Sequence, residues 1–183
     1  HLKEGDEVLI TLAEHASNTL PWFEVAKHTG AIIKYIDLDE EGKVTLENVR
    51  KAVTEHTKII SLAQITNVLG YLAPIKEICN FAHEHDIIVC VDGAQSAPHH
   101  AVDVQDLDVD FFAFSGHKMC GPTGVGVLYG KYHLLEEMTP TRFGGGSNAR
   151  YNSCGLVKLK NAPTKFETGT PNICLLYTSD AAD

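Results

Sequence analysis

Residues Ile87 to Gly130 read IIVCVDGAQSAPHHAVDVQDLDVDFFAFSGHKMCGPTGVGVLYG, and two apolar runs inside this stretch decide the fold. Ile87 to Val91 is short, continuous and rich in β-branched residues, the pattern of a strand buried on both faces, and it stops at Asp92-Gly93. Phe111 to Phe114 is a second such run, ending in Ser115-Gly116-His117-Lys118. A carboxylate at the end of a buried strand is costly unless a cation meets it. Parallel strands of an open α/β sheet collect ligand groups outside their carboxyl ends, so this order predicts an α/β fold in which Asp92 and Lys118 converge.

The rest of the chain repeats the alternation. Glu7 to Leu12, Ala31 to Leu38 and Thr57 to Ile65 read as further strands. Between them, Ser17 and Asn18 offer caps for a helix entered near Pro21 and ended by Gly30, and Thr45 caps a second helix. Pro74 opens a third, with Ile75, Ile78, Cys79 and Ala82 at helical spacing. After Lys118, Gly121, Gly124 and Gly126 predict a turn into a strand at Val125 to Tyr129, then a short helix at Leu134 to Met138. Thr141 to Ser147 is a glycine-rich loop, and Lys158 to Lys165 a polar stretch with no buried neighbour.

Composition narrows the function. The 183 residues are 44% hydrophobic and 21% charged, enough for one substantial core. A formal net charge of −9 argues against nucleic acid as a partner, since such proteins concentrate Lys and Arg against phosphates. No apolar run approaches the roughly 20 residues that span a bilayer. Five scattered cysteines, Cys79, Cys90, Cys120, Cys154 and Cys174, form no CxxC pair and read as reduced thiols of a cytoplasmic protein. His83-Glu84-His85-Asp86 invites a metal reading, but histidines two apart on a helix end point apart, so no metal site is expected.

The ordered set VDGAQSAPH, then SGHKMCGPTGVGVLYG, resembles the SufS/CsdA-type cysteine desulfurases of the class V aminotransferase family, which are fold-type I pyridoxal phosphate (PLP) enzymes. The resemblance runs from about Gly5 to Asn172 and implies the large-domain fold, a mostly parallel sheet flanked by helices. It implies that Lys118 tethers PLP and serves as the base. Asp92 pairs with the ring nitrogen, Gln95 meets the phenolate oxygen, and Ser115 and His117 hold phosphate. His15, in EHASNTLPW, stacks on the ring, and Asn67, in TNVLG, approaches the ring oxygen and the substrate carboxylate. Thr170, in FETGTPN, reaches the phosphate of a neighbouring subunit, which implies a homodimer. An Asp92–pyridinium pair at ~4 Å and an effective dielectric near 20 interacts by about 4 kcal/mol, roughly three pK units.

Read alone, His15 is an ordinary capping or surface histidine and Asn67 an ordinary turn residue. Residues 1–172 are expected to be the PLP-binding domain, truncated at both ends, and 173–183 a non-native tail. None of the five cysteines matches the family's sulfur-accepting motif, so the nucleophilic cysteine and the carboxylate-binding arginine are expected outside this sequence, and the fragment itself is expected to be inactive. The implied substrate is L-cysteine or L-selenocysteine, with a sulfur-acceptor protein downstream. Met119-Cys120 departs from the aliphatic-tyrosine pair common in the family. Another class V enzyme, such as a selenocysteine lyase or an aminotransferase-like protein, and a cofactor-free α/β interaction module remain the alternatives.

Overall fold

Six strands form one sheet in the order β2-β1-β3-β4-β5-β6, and the computed structural model describes residues 1–180. The strands are β1 (Glu7–Thr11), β2 (Ile32–Ile36), β3 (Thr57–Ala63), β4 (Ile88–Asp92), β5 (Phe111–Ser115) and β6 (Gly126–Gly130). The first five run parallel and β6 returns antiparallel to β5. The connecting helices are α1 (Ala16–Thr29), α2 (Leu46–Ala52), α3 (Ile75–His83), α4 (Val104–Leu107) and α5 (Tyr132–Glu137). A separate hairpin follows, β7 (Asn148–Tyr151) with β8 (Val157–Leu159), then α6 (Ile173–Asp180). Of the expected tail 173–183, the last three residues lie outside the described part.

Local chemistry sets the helix ends. Gly30 adopts the left-handed φ of 77° that closes α1, and the Thr45 hydroxyl accepts from the Asn48 N–H to start α2. α1 begins five residues before Pro21, earlier than expected, because the His15 ring rather than Ser17 or Asn18 caps it. Pro21 therefore sits inside the helix.

The apolar core lies on one face of the sheet. Ile60 and Leu62 of β3, Val89 and Val91 of β4 and Phe112 of β5 pack there with Ile75, Ile78, Cys79 and Ala82 of α3 and Val49 of α2. The expectation that β4 is buried on both faces is corrected: its alternate residues Ile88 and Cys90 are only half-buried, and with Phe111, Ala113 and Leu128 they line an open cleft. Period-2 alternation sends these side chains to the face that no described helix covers along β4 to β6. Lys165 is a second correction. It is buried, and its ammonium donates to the Glu136 carbonyl at 2.7 Å, which fastens the segment after the hairpin to α5.

At the opposite end of the strands a closed ionic cluster ties the layers. His83 Nε2 lies 2.9 Å from Asp110 and its Nδ1 3.1 Å from Asp108, while Lys131 bridges the same two carboxylates at 3.0 and 2.7 Å. The buried Asp110 also accepts from the Val89 N–H at 2.8 Å. His83 is thus a carboxylate partner, and among the described residues no His, Cys, Asp and Glu group is arranged to hold a metal. No described helix is long and apolar enough to cross a membrane.

Candidate active site

One cleft of about 1040 Å³ runs along the open face of the sheet, from Asp6, Lys58 and Asp86 at the amino ends of the strands to His15, Asp92 and Ser115 at their carboxyl ends. Asp92 is the last residue of β4, in register with Ala63 of β3 and Ala113 of β5. Its Oδ1 accepts from the Ala94 N–H at 2.8 Å, and that bond fixes the carboxylate's direction. Beyond β5 the chain winds one 3-10 turn, Gly116–Met119, closed by Gly121 N–H donating to the Gly116 carbonyl at 3.0 Å. This turn presents Ser115, His117 and Lys118 to the same cleft as Asp92.

His15 forms the wall at the end of β1. Its Nδ1 accepts from the Ser17 N–H at 3.1 Å, which assigns the ring proton to Nε2. One imidazole thus both caps α1 and borders the cleft. Trp22 and Asn18 of α1 extend that wall, and Ile88, Cys90 and Phe111 form an apolar floor. Burial pushes the Cys90 thiol up to about 12, with the Asp110 charge adding to the effect, so this cysteine stays a neutral thiol.

Three expected residues stand elsewhere. Asn67 is exposed and borders a smaller pocket of about 430 Å³, shared with Leu12, Glu14, Val68 and Leu69, with His15 common to both pockets. Gln95 is half-buried in the tight winding that follows Asp92, where Ala97 N–H donates to the Gly93 carbonyl at 2.9 Å, and it does not line the cleft. Thr170 is exposed and lines neither pocket. The cleft therefore gathers His15, Asp92, Ser115, His117 and Lys118.

One acid beside this group carries no expectation from the sequence. Glu14 accepts from Thr11 Oγ1 at 2.9 Å and Asn18 Nδ2 at 2.8 Å, and it lies beside the backbone of Ala63, the register partner of Asp92. Burial pushes its carboxyl above the usual range against those hydrogen bonds, and the Asp92 charge pushes the same way. Its signal in the sequence is a carboxylate in a strand-end turn with hydrogen-bonding side chains three residues before and four after.

The description Aminotransferase class-V matches residues 1–182 of this chain. The chain belongs to that family. Among its class V relatives, a probable cysteine desulfurase of Halalkalibacterium halodurans is 53% identical over 175 residues, covering 94% of this chain and 42% of the relative. The Escherichia coli cysteine desulfurase CsdA superposes with a TM-score of 0.96 at 41% identity, over 100% of this chain and 45% of that one. A variant of the lyase C-DES, with glycine covalently linked to its PLP cofactor, superposes at 0.83 with 27% identity, over 98% and 48%. The chain thus spans less than half the length of these relatives, and the part it spans has the fold of the fold-type I large domain: a mostly parallel sheet flanked by helices, as the resemblance implied.

Proposed function

We propose that this chain is the PLP-binding portion of a cytoplasmic cysteine desulfurase, which converts L-cysteine to L-alanine and passes the sulfur on as a persulfide for iron–sulfur cluster assembly. The observation that carries the reading is the convergence of Asp92 and Lys118, from the ends of neighbouring strands, on one cleft walled by His15. PLP fits this donor set. It needs an amine for its aldehyde, an anion for its ring nitrogen and a flat group over its ring, and no carboxylate pairs with the Lys118 amine among the described residues. When bound, PLP supplies an electron sink for charge left on the substrate's Cα.

The protein's own groups do the rest. Asp92, aimed by the Ala94 N–H, keeps the ring nitrogen protonated. Lys118 would hold the cofactor through its amine and move the Cα proton, and Ser115 and His117 would donate to phosphate. His15 covers one ring face, with its Nε2–H free because Nδ1 is committed to the helix cap. Gln95 and Asn67 of the same chain, and Thr170 contributed in trans in a homodimer, complete the site. The reaction also needs a thiolate. Burial pushes the Cys79 and Cys90 thiols up to about 12, none of the five cysteines matches the family's sulfur-accepting motif, and we assign the role to the part of the relatives that this chain does not span.

The test uses the full-length protein carrying this chain. Borohydride reduction should trap PLP on the peptide containing Lys118, and L-cysteine should yield alanine equimolar with enzyme persulfide, or with sulfide once an added thiol reductant cleaves that persulfide, with L-selenocysteine as the competing substrate. A protein that retains no PLP, or an adduct on another lysine, refutes the reading.

A further inference from the structure

The Glu14 carboxylate ties three elements together. It accepts from Thr11 of β1 and from Asn18 of α1, and the Asn18 amide oxygen in turn accepts from Ser61 of β3 at 2.8 Å. These bonds pin the turn carrying His15 onto the strand beside β4. Because Ala63 and Asp92 are register partners, they also set a second carboxylate next to Asp92, and the Gln64 N–H donating to the Asp92 carbonyl at 3.0 Å keeps the two strand ends together.

We propose that Glu14 is a positioning residue of this site: it clamps the His15 turn to β3, and its charge beside Asp92 raises the proton affinity of whatever cationic ring Asp92 faces. The inference rests on the PLP reading above. Negative charge near a cation favours its protonated form, and a second carboxylate reinforces what Asp92 begins. Both side chains bonded to Glu14, the Thr11 hydroxyl and the Asn18 amide N–H, donate to it, which favours the ionised carboxylate. Burial and the Asp92 charge oppose that ionisation. The titratable groups that face Glu14 are Asp92 and, from the loop after β3, the Tyr71 phenol, whose own pKa is raised by burial and, in part, by the Glu14 charge.

The experiment compares wild type with Glu14→Gln in the full-length protein loaded with PLP. It reads the pH midpoint of the visible cofactor absorbance, the ring-nitrogen shift of 15N-labelled PLP, and melting temperatures with and without cofactor. Glu14→Gln removes the charge and keeps the shape. The midpoint should fall by about one pH unit, a roughly tenfold loss of proton affinity, as expected for a unit charge several Å away at intermediate dielectric. The nitrogen shift should move toward the unprotonated form. An unchanged midpoint and nitrogen shift with a lowered melting temperature would make Glu14 a structural residue only and overturn the proposal. Glu14→Asp covers the case in which Glu14→Gln does not fold, because it keeps the charge but shortens the reach. It should hold the wild-type midpoint while retaining PLP more weakly, and wild-type behaviour in both respects overturns the proposal. If the wild type itself shows no lysine-bound PLP, the cofactor reading fails. If the wild type does and Glu14→Gln matches it, only the role of Glu14 fails.

Discussion

A methyl group added at Gly93 should damage both stability and the acid end of the cleft. A Cβ built there would lie 2.0 Å from Phe112 Cζ and 2.2 Å from its Cε1, and the φ of Gly93 is outside the left-handed region, so the obstacle is space. The backbone has no retreat: Gly93 N–H donates to the Ala113 carbonyl at 2.8 Å, and its own carbonyl accepts from Ala97 N–H at 2.9 Å. Phe112, 2% exposed in the core, must move instead. Overpacking a core costs ~1–3 kcal/mol, and an overlap of more than 1 Å with a ring confined on all sides belongs at the upper end, about 3 kcal/mol. Asp92, one residue away, would shift with the strand end. The assay is a double-mutant cycle by urea unfolding of the full-length protein, in which Phe112→Leu vacates the contested volume and should recover at least half the loss of Gly93→Ala. A Gly93→Ala protein as stable as wild type, or costs that simply add in the double mutant, would refute the steric argument.

Lys118→Ala should abolish the visible absorbance of lysine-bound cofactor and all turnover in the full-length protein, whereas Lys160→Ala, on an exposed residue beyond β8, should leave both unchanged. Cys79, fully buried and with its thiol pushed up to about 12, should be alkylated by iodoacetamide at neutral pH orders of magnitude more slowly than the exposed Cys120 and Cys154, which peptide mapping over time would show. The Lys131 ammonium, with His83 beside it, holds the Asp108 carboxyl below its usual range. Its folded value is depressed, so its contribution is present above the ordinary carboxylate pKa and lost as pH falls through the depressed one. Asp108→Asn should therefore cost under ~1 kcal/mol at pH 7, since the side chain is half exposed, and its unfolding curve should converge on wild type in acid.

The strand-end chemistry was readable because apolar runs stop abruptly at Asp92 and Ser115, and a buried run can only hand its polar successors to the rim. What covers each face was not readable. The run from Ile87 to Val91 has apolar side chains on both faces, but only Ile87, Val89 and Val91 join the core under the helices, and no local pattern records that. The start of α1 was missed because a histidine capping through Nδ1 is rarer than Ser or Asn, and both stood nearby. The β7–β8 hairpin escaped notice because its strands are four and three residues long and almost wholly exposed, leaving no apolar alternation. Lys165 reads as polar in sequence, and its burial depends on a carbonyl contributed by Glu136, far along the chain. Gln95, Asn67 and Thr170 came from resemblance alone, and a single chain gathers none of the three into the cleft.

The double duty of His15 has an entropic side. A free surface histidine samples several rotamers and gives up on the order of 1 kcal/mol of that freedom when a ligand immobilises it. Here the Ser17 N–H already holds the imidazole by its Nδ1 as part of folding α1. Part of that ordering is done when the helix forms, and a flat ring entering the cleft meets a partner with less disorder left to lose.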